Sequence, residues 1–118
     1  NWQHGRGWCQ DRYMPRLANY RGRLQEIPFD FPELLGAIAP RTVFISAPLH
    51  DGNFRWKSVD RCTKAAQPVY KLFDREERLL VSHPDCGHDF PAAVRAQAYK
   101  AIDDVLRHRV DKADNQYP

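Results

Sequence analysis

The stretch TVFISAP, residues 42–48, decides the fold class of this chain. Its residues are mostly β-branched or apolar and do not alternate with polar ones, which is the pattern of a strand buried on both faces. Strands of this kind lie inside parallel sheets that helices cover on both sides. A second stretch of the same character, RLLVSHP at residues 78–84, predicts a second strand.

Helices are predicted before the first strand and after the second. Residues 28–40 carry Asp30 as a suitable N-terminal cap, and Pro40 ends the helical pattern. Residues 91–110 begin at Pro91, which suits the first turn of a helix. One apolar stripe runs along this last helix and consists of Val94, Ala98, Ala101, Ile102, Val105 and Leu106.

A third helix is predicted between the two strands, from Ser58 as its cap to about Leu72, with Pro68 expected to kink or break it. The alternating order predicts an α/β fold with parallel strands joined by a crossover helix. Two strands make an incomplete sheet, because an independent sheet needs a third strand or extensive helical cover. We therefore expect residues 1–118 to be the end of one larger α/β domain.

The composition argues against several classes of function. The net charge is +3, but 18 basic residues are interleaved with 15 acidic ones and no nucleic-acid-binding motif is present, so we expect no nucleic-acid partner. No apolar run is long enough to span a membrane, and we expect no membrane partner. The three cysteines, Cys9, Cys62 and Cys86, have no paired spacing and indicate neither a disulfide framework nor a compartment. Localisation therefore stays open.

Residues 1–28 combine aromatic residues with arginines and have weak periodicity, which predicts a surface segment with a short helix from about Arg12 to Tyr20. Two interpretations of its aromatic residues are open: they line a pocket, or they pack the segment onto a larger body. These residues are Trp2, Trp8, Tyr13 and Tyr20.

The candidate chemistry lies in the loops after the two strands, because working residues of open α/β sheets gather at the carboxyl ends of strands. The first loop carries Asp51, and the second carries His88 within HPDCGHDFP, residues 83–91. Adjacent strands would place this carboxylate beside this imidazole. A carboxylate that accepts the Nδ1–H of an imidazole fixes the tautomer and leaves Nε2 to act as a base. Gly87 is expected to let the chain turn sharply before His88.

Simpler interpretations exist for both residues. Asp51 begins an Asp–Gly pair, which is a strong turn dipeptide, and the turn and the functional role are compatible. For His88 the simpler interpretation is a loop histidine whose partner is Asp85 or Asp89. Asp89 is also placed to cap the last helix.

A zinc site is the other hypothesis for this loop. His83, Cys86 and His88, with Asp85, have suitable ligand types. They lack the paired C-x-x-C and the distant second half that closed structural sites usually have. The catalytic interpretation is preferred, and no metal or other cofactor is expected.

The loop of Asp51 also supplies three candidate substrate-binding residues. Phe54 and Trp56 are aromatic side chains of the kind that line pockets, although loop aromatics also pack on the scaffold. His50 either lines the same pocket or lies on the solvated surface.

The run IPFDFPELLGAIAPRTVFISAPLHDGNFRWKSVD, followed by HPDCGHDFP and an amphipathic helix, resembles the C-terminal part of an α/β-hydrolase. It is most similar to the esterase and dienelactone-hydrolase-like branch, near acetyl xylan esterases and prolyl-oligopeptidase-type catalytic domains. The resemblance extends from about Arg12 to Leu106. It implies a triad in the order nucleophile, acid, histidine, in which Asp51 matches the acid and His88 the histidine. The implied substrate is a small-molecule or carbohydrate-linked carboxylic ester, with a peptide bond as the next possibility.

The nucleophile is missing from this pattern. The family carries its serine on a G-x-S-x-G elbow, and the serines here are Ser46, Ser58 and Ser82, which are predicted in a strand, at a helix cap and in the second strand. We expect the nucleophile and the oxyanion-hole donors to lie in a preceding segment. We also expect residues 1–118 to be inactive alone. The rival hypothesis is a non-catalytic α/β domain that self-associates through exposed sheet edges.

Overall fold

The computed structural model describes the backbone of residues 14–113 and the side chains of residues 14–106. The chain forms two compact units, one up to Asp30 and one from Phe31 onward. Some predictions for the first segment concern residues outside the described range, namely Trp2, Trp8, Cys9, Arg12 and Tyr13.

The described part of the first unit, residues 14–30, contains two short 3-10 helices, Pro15–Tyr20 and Leu24–Glu26. The predicted short helix is therefore present as a 3-10 helix that begins at Pro15. Between the two helices, Arg23 donates hydrogen bonds to the Glu26 carboxylate at 2.8 Å and to the Asn19 carbonyl at 3.0 Å. These contacts are exposed, and exposed pairs of this kind add little to stability.

The second unit alternates helices and strands. In chain order it consists of α1 (Phe31–Gly36), β1 (Val43–Ser46), α2 (Trp56–Lys71), β2 (Leu79–Ser82) and α3 (Ala92–Ala113). The two strands pair in parallel. The predicted combination of parallel strands and a connecting helix is thus confirmed as a mixed α/β arrangement.

The register of the sheet brings the ends of the two strands together. Val43 lies opposite Leu79 at the start, and Ser46 lies opposite Ser82 at the end. A short 3-10 helix, Glu76–Arg78, leads directly into β2. Because the strands are parallel and in step, the loops that follow them leave the sheet at the same edge.

The first helix is shorter than predicted, because it ends at Gly36 and not at Pro40. The next residues form tight turns, in which Ile38 N–H bonds to Leu35 O at 3.1 Å and Ala39 N–H bonds to Gly36 O at 3.1 Å. Gly36 also marks a close approach of α1 to α2. A Cβ atom at this position would lie 3.2 Å from Cγ2 of Val69.

The cap of the second helix lies three residues earlier than predicted, at Arg55, so the prediction that Ser58 caps it was wrong. The helix starts at Trp56, and the cap position is Arg55, whose side chain makes no capping hydrogen bond. Ser58 lies inside the first turn, where its Oγ accepts a hydrogen bond from Arg61 Nη2 at 2.9 Å. A helical i,i+3 contact has replaced the capping contact.

Pro68 was expected to kink or break this helix, but α2 continues through it to Lys71. The neighbouring residues explain why. Ala66 and Tyr70 on either side are 1% and 0% exposed. Burial of this face favours the helix, while Pro68 removes only one backbone hydrogen bond close to the helix end.

A small core joins α2 to the sheet. Tyr70, Ala66 and Leu79 are its buried members, and the partly buried residues packed against them are Leu35, Ala39, Val43 and Ile45. The Tyr70 hydroxyl donates to the Arg41 carbonyl at 3.1 Å, which satisfies its polar end. Burial raises the pKa of Tyr70 above its ordinary value of 10.0.

The last helix is covered only in part. Val94 is 4% exposed, whereas Ile102 and Leu106 of the same predicted stripe are 53% and 54% exposed. Pro91 directly precedes the helix, and its carbonyl accepts the Arg95 N–H at 2.9 Å. In the described part of the chain, no helix has the length and apolar character needed to cross a membrane.

Candidate active site

The loops that follow β1 and β2 run side by side and are joined by backbone hydrogen bonds. Ala47 N–H bonds to Ser82 O at 2.9 Å, and Leu49 N–H bonds to Pro84 O at 3.0 Å. These bonds continue the parallel ladder beyond the strands. His50 N–H then bonds to Cys86 O at 3.0 Å. The next residues of the two loops are therefore held close together.

Asp51 is fixed by three hydrogen bonds. Its Oδ1 accepts the backbone N–H groups of Asn53 at 2.7 Å and of Phe54 at 3.1 Å, and its Oδ2 lies 2.9 Å from Nδ1 of His88. The Asp51 side chain is 4% exposed. One carboxylate oxygen thus builds the loop turn that Asp–Gly predicted, while the other contacts the imidazole.

These contacts favour the ionised form of Asp51. The hydrogen bond with His88 lowers the pKa of Asp51 below its ordinary value of 3.8, and the Asn53 and Phe54 N–H groups lower it further, while desolvation opposes them. An ionised carboxylate can only accept hydrogen bonds, so Nδ1 of His88 carries the proton in this contact. The neutral imidazole then has an unprotonated Nε2, which is the state that a general base requires.

His88 is held at the edge of the loop and open to solvent. Its side chain is 62% exposed, and its ring stacks on Phe54 with centroids 6.0 Å apart and planes at 29°. The backbone forms a three-residue turn around it, in which Asp89 N–H bonds to Gly87 O at 2.7 Å. The contacts with Asp51 and Phe54 position the ring, and most of the His88 side chain stays exposed.

Gly87 does not serve the purpose that the sequence suggested. Among the described residues, the glycine with a left-handed backbone is Gly22, with φ of 77°. A Cβ atom at Gly87 would meet the His50 carbonyl at 4.0 Å, an ordinary contact distance. The turn therefore forms through the hydrogen bond around His88, without the conformational freedom of glycine.

A second histidine–carboxylate pair lies in the same two loops. His50 Nε2 is 2.7 Å from Asp85 Oδ1, and the two side chains are 69% and 83% exposed. The predicted alternative in which Asp85 is the partner of His88 is therefore wrong. Both members of this pair are open to water, unlike the buried carboxylate of Asp51.

His83 contacts the scaffold through both of its ring nitrogens. Its Nδ1 lies 2.8 Å from the Ala47 carbonyl, and its Nε2 lies 2.9 Å from Asp60 Oδ1 on α2. Trp56 packs against the same ring, with centroids 5.1 Å apart. Both ring nitrogens face acceptors, so only a doubly protonated ring donates to both at once. Within residues 14–106, no three His, Cys, Asp or Glu side chains are grouped to hold a metal ion.

The predicted substrate-binding residues lie in two places. An open cleft of about 330 Å³ is bounded by Phe54, Trp56, Leu49 and Asp51, together with side chains from the start of α2. Phe54 and Trp56 thus line a cleft that shares Asp51 with the His88 pair. His50 is not part of its lining. The roles of all three in substrate binding stay predictions.

The three serines have positions that do not resemble a nucleophile turn. Ser46 lies in β1, where its Oγ is buried and has no hydrogen-bond partner among the described residues. Ser58 accepts a hydrogen bond from Arg61, and Ser82 lies in β2. None of them is on a strand-to-helix turn of the G-x-S-x-G type.

Cys86 has little nucleophilic character. Desolvation raises the pKa of its thiol above the ordinary value of 9.0, and the negative charges of Asp89, Asp85 and Asp51 raise it further. The thiolate is the reactive form of cysteine, so this environment keeps Cys86 in its less reactive protonated form.

Sequence reasoning missed the hydrogen bonds of His83 and the basic residues beside the cleft. The basic residues could have been found from the sequence, since Arg55, Lys57 and Arg61 are closely spaced around the start of a predicted helix. The hydrogen bond between His83 and Asp60 joins a loop to a helix 23 residues away and had no local signal. Comparison of the chain with known proteins identified no matching family model, curated protein or solved structure.

Proposed function

We propose that Asp51 and His88 are the acid and the histidine of a Ser-His-Asp triad in a serine α/β-hydrolase that cleaves carboxylic esters. One observation carries the proposal: the Nδ1–Oδ2 distance of 2.9 Å between an exposed imidazole and a buried carboxylate. This is the relationship that a triad requires, because the carboxylate selects the tautomer and the imidazole keeps Nε2 for the reaction.

In this mechanism His88 moves one proton in each half of the reaction. Its Nε2 takes the proton of the serine hydroxyl while the serine oxygen attacks the ester carbonyl, and it then gives that proton to the leaving alcohol. A water molecule repeats the cycle on the acyl-enzyme and releases the carboxylic acid. Asp51 stays ionised throughout and stabilises the imidazolium that forms twice in each turnover.

The nucleophilic serine of this mechanism lies outside the 118 residues. The Oγ of Ser46 is buried, Ser82 lies in β2 and Ser58 is the hydrogen-bond partner of Arg61, so none of the three has the position of a serine on a nucleophile elbow. We therefore assign the serine to a strand-to-helix elbow in a preceding segment, where the resemblance to α/β-hydrolases also puts it. The same resemblance supports an ester of a small molecule or of a carbohydrate as the substrate.

The active serine can be tested by covalent labelling of the protein expressed from the whole open reading frame that encodes these residues. A fluorophosphonate probe reacts with serines that a histidine activates. We expect labelling of one serine in a G-x-S-x-G sequence and loss of labelling in His88→Ala. Asp85→Asn is the matched control, because it changes an exposed side chain in the same loop as His88 that pairs with His50. Absence of labelling in the wild-type protein would refute the proposal.

A second candidate function is self-association without catalysis. Within the described residues each strand pairs on one side only, and Ile102 and Leu106 leave part of the α3 stripe exposed. Open strand edges and apolar faces of this kind favour pairing with another copy. Light scattering on the purified 118-residue chain separates the candidates. A concentration-dependent dimer without any ester turnover in the whole protein would favour this function.

A further inference from the structure

The cleft beside Asp51 has a strongly basic lining. Arg55, Lys57 and Arg61 contribute cationic side chains to it, and Ser58 contributes a hydroxyl group. Among the described residues that line the cleft, Asp51 is the carboxylate, and its oxygens are hydrogen-bonded to His88 and to two backbone N–H groups. The described lining therefore carries three cationic side chains and one carboxylate, which is an excess of positive charge.

The three cations have no carboxylate partner within the described side chains. Ion pairs in residues 14–106 involve other basic residues, among them Lys64 with Asp60 and Lys100 with Asp104. Lys57 Nζ lies 5.6 Å from the centre of the Trp56 ring, which is a cation–π contact and not a neutralising one. Arg61 donates to the neutral hydroxyl of Ser58. Among the described side chains, no carboxylate forms an ion pair with the three cations of the cleft.

The start of α2 adds to the positive potential. This helix has 16 residues, its cap residue Arg55 makes no capping hydrogen bond, and its first turn contains no acidic residue. The first N–H groups of a helix have no partner within the helix, and its dipole is positive at this end. Here basic side chains surround that end, where an acidic residue would ordinarily be favourable.

We propose that this cleft binds the anionic oxygen group of a small organic acid or phosphate ester. Arg55 and Arg61 hold the anion through charge-assisted hydrogen bonds, and Phe54 and Trp56 contact the apolar part of the ligand. Binding does not depend on hydrolysis. Asp51 belongs both to the pair with His88 and to the lining of the cleft. If the proposed ester hydrolysis also holds, the substrate therefore carries a negative group close to the scissile bond.

The test is a titration of the 118-residue chain with three small molecules. Binding is monitored by the amide chemical shifts in nuclear magnetic resonance spectra. Benzoate and phenyl phosphate carry the two kinds of anion, and benzyl alcohol is the neutral analogue. We expect saturable shifts around Arg55 and Ser58 with at least one anion and no saturable shifts with the alcohol. Saturation by benzoate alone identifies a carboxylate ligand, and saturation by phenyl phosphate alone identifies a phosphate ligand.

Variants then test the basic residues. R55Q/R61Q should weaken anion binding by about tenfold or more, since each charge-assisted hydrogen bond contributes appreciably. K71Q/K100Q removes the same charge elsewhere on the surface and should bind as the wild type does. K57Q is a third variant, for use if the double variant does not keep its helical circular dichroism. It should also weaken binding, because it too removes a cation from the lining.

Three results would overturn the proposal. They are the absence of saturable binding of either anion, wild-type affinity in R55Q/R61Q or K57Q, and equal weakening in K71Q/K100Q, which would mean a general effect of net charge. R55Q/R61Q in the 118-residue chain distinguishes the two proposals, since loss of anion binding there does not depend on the presence of an active serine. Wild-type anion affinity in this variant would sink the anion proposal and leave the hydrolase proposal standing, whereas absence of serine labelling in the whole protein would sink only the hydrolase proposal.

Discussion

Nδ1 of His88 lies 2.9 Å from Oδ2 of Asp51, although 37 residues separate the two in the sequence. The two parallel strands end opposite each other, and backbone hydrogen bonds between the loops that follow keep those loops side by side. The geometry of the pair is therefore set by the sheet. The turn around Asp51 adds two further hydrogen bonds that fix its carboxylate.

This contact makes the tautomer of His88 predictable. We expect the Nδ1–H tautomer at neutral pH in the 118-residue chain, because the ionised Asp51 accepts that proton. Nitrogen-15 spectra of the histidine rings report which nitrogen carries the proton. In Asp51→Ala the preference for Nδ1–H should disappear, whereas Asp85→Ala should leave the His88 spectrum unchanged. A wild-type His88 that carries its proton on Nε2 would contradict the assigned hydrogen bond.

The lowered pKa of Asp51 predicts a dependence of stability on pH. A carboxyl group whose pKa is lower in the folded chain than its ordinary 3.8 stabilises the fold above that ordinary value. The stabilisation is lost as the pH falls through the lowered folded pKa. Asp51→Asn should therefore cost stability at pH 7, and the difference from wild type should shrink only below about pH 4.

Urea denaturation at a series of pH values measures this difference. Asp85→Asn is the control, since the Asp85 side chain is 83% exposed and its loss should have little effect at any pH. A difference between wild type and Asp51→Asn that stays constant down to pH 2, or that grows on acidification, would show that the Asp51 contacts do not lower its pKa.

His83 is expected to be a structural residue. Replacement by alanine removes the bonds of His83 to the buried Ala47 carbonyl and to Oδ1 of Asp60, and Asp60 is left with its ion pair to Lys64. We expect His83→Ala to lower the free energy of unfolding by about 1–3 kcal/mol. His50→Ala removes an exposed pair and should cost no more than about 0.5 kcal/mol. Urea denaturation measures the free energy of unfolding of both variants. Equal losses of this free energy in His83→Ala and His50→Ala would show that the contacts of His83 do not stabilise the fold.

Much of the arrangement around the site could be predicted from the sequence. Two apolar strands in an alternating α/β order imply parallel pairing, and parallel strands share the edge at which their loops emerge. Asp51 and His88 follow those strands at similar distances, so their meeting follows from topology. The turn predicted from Asp–Gly and the contact with His88 are both present, because a carboxylate has two oxygens to share.

The rest depended on tertiary contacts that have no local signature. Pro68 does not end α2, because the burial of Tyr70 and Ala66 holds that part of the helix in place. The periodicity of α3 identified its apolar face but not how much of it is covered, and Ile102 is still half exposed. His83 and His88 lie on the same loop, yet only the folded chain shows that one ring faces α2 while the other faces Asp51.

Ester turnover tests the central claim, that His88 is the general base of a serine hydrolase, most directly. The measurement is the hydrolysis of 4-nitrophenyl acetate at pH 7.5 by the protein from the whole open reading frame, as wild type, His88→Ala and Asp85→Asn. We expect His88→Ala to lower kcat about a thousandfold or more, and Asp85→Asn to stay within about threefold of wild type. Hydrolysis that survives His88→Ala at the wild-type rate would contradict the claim.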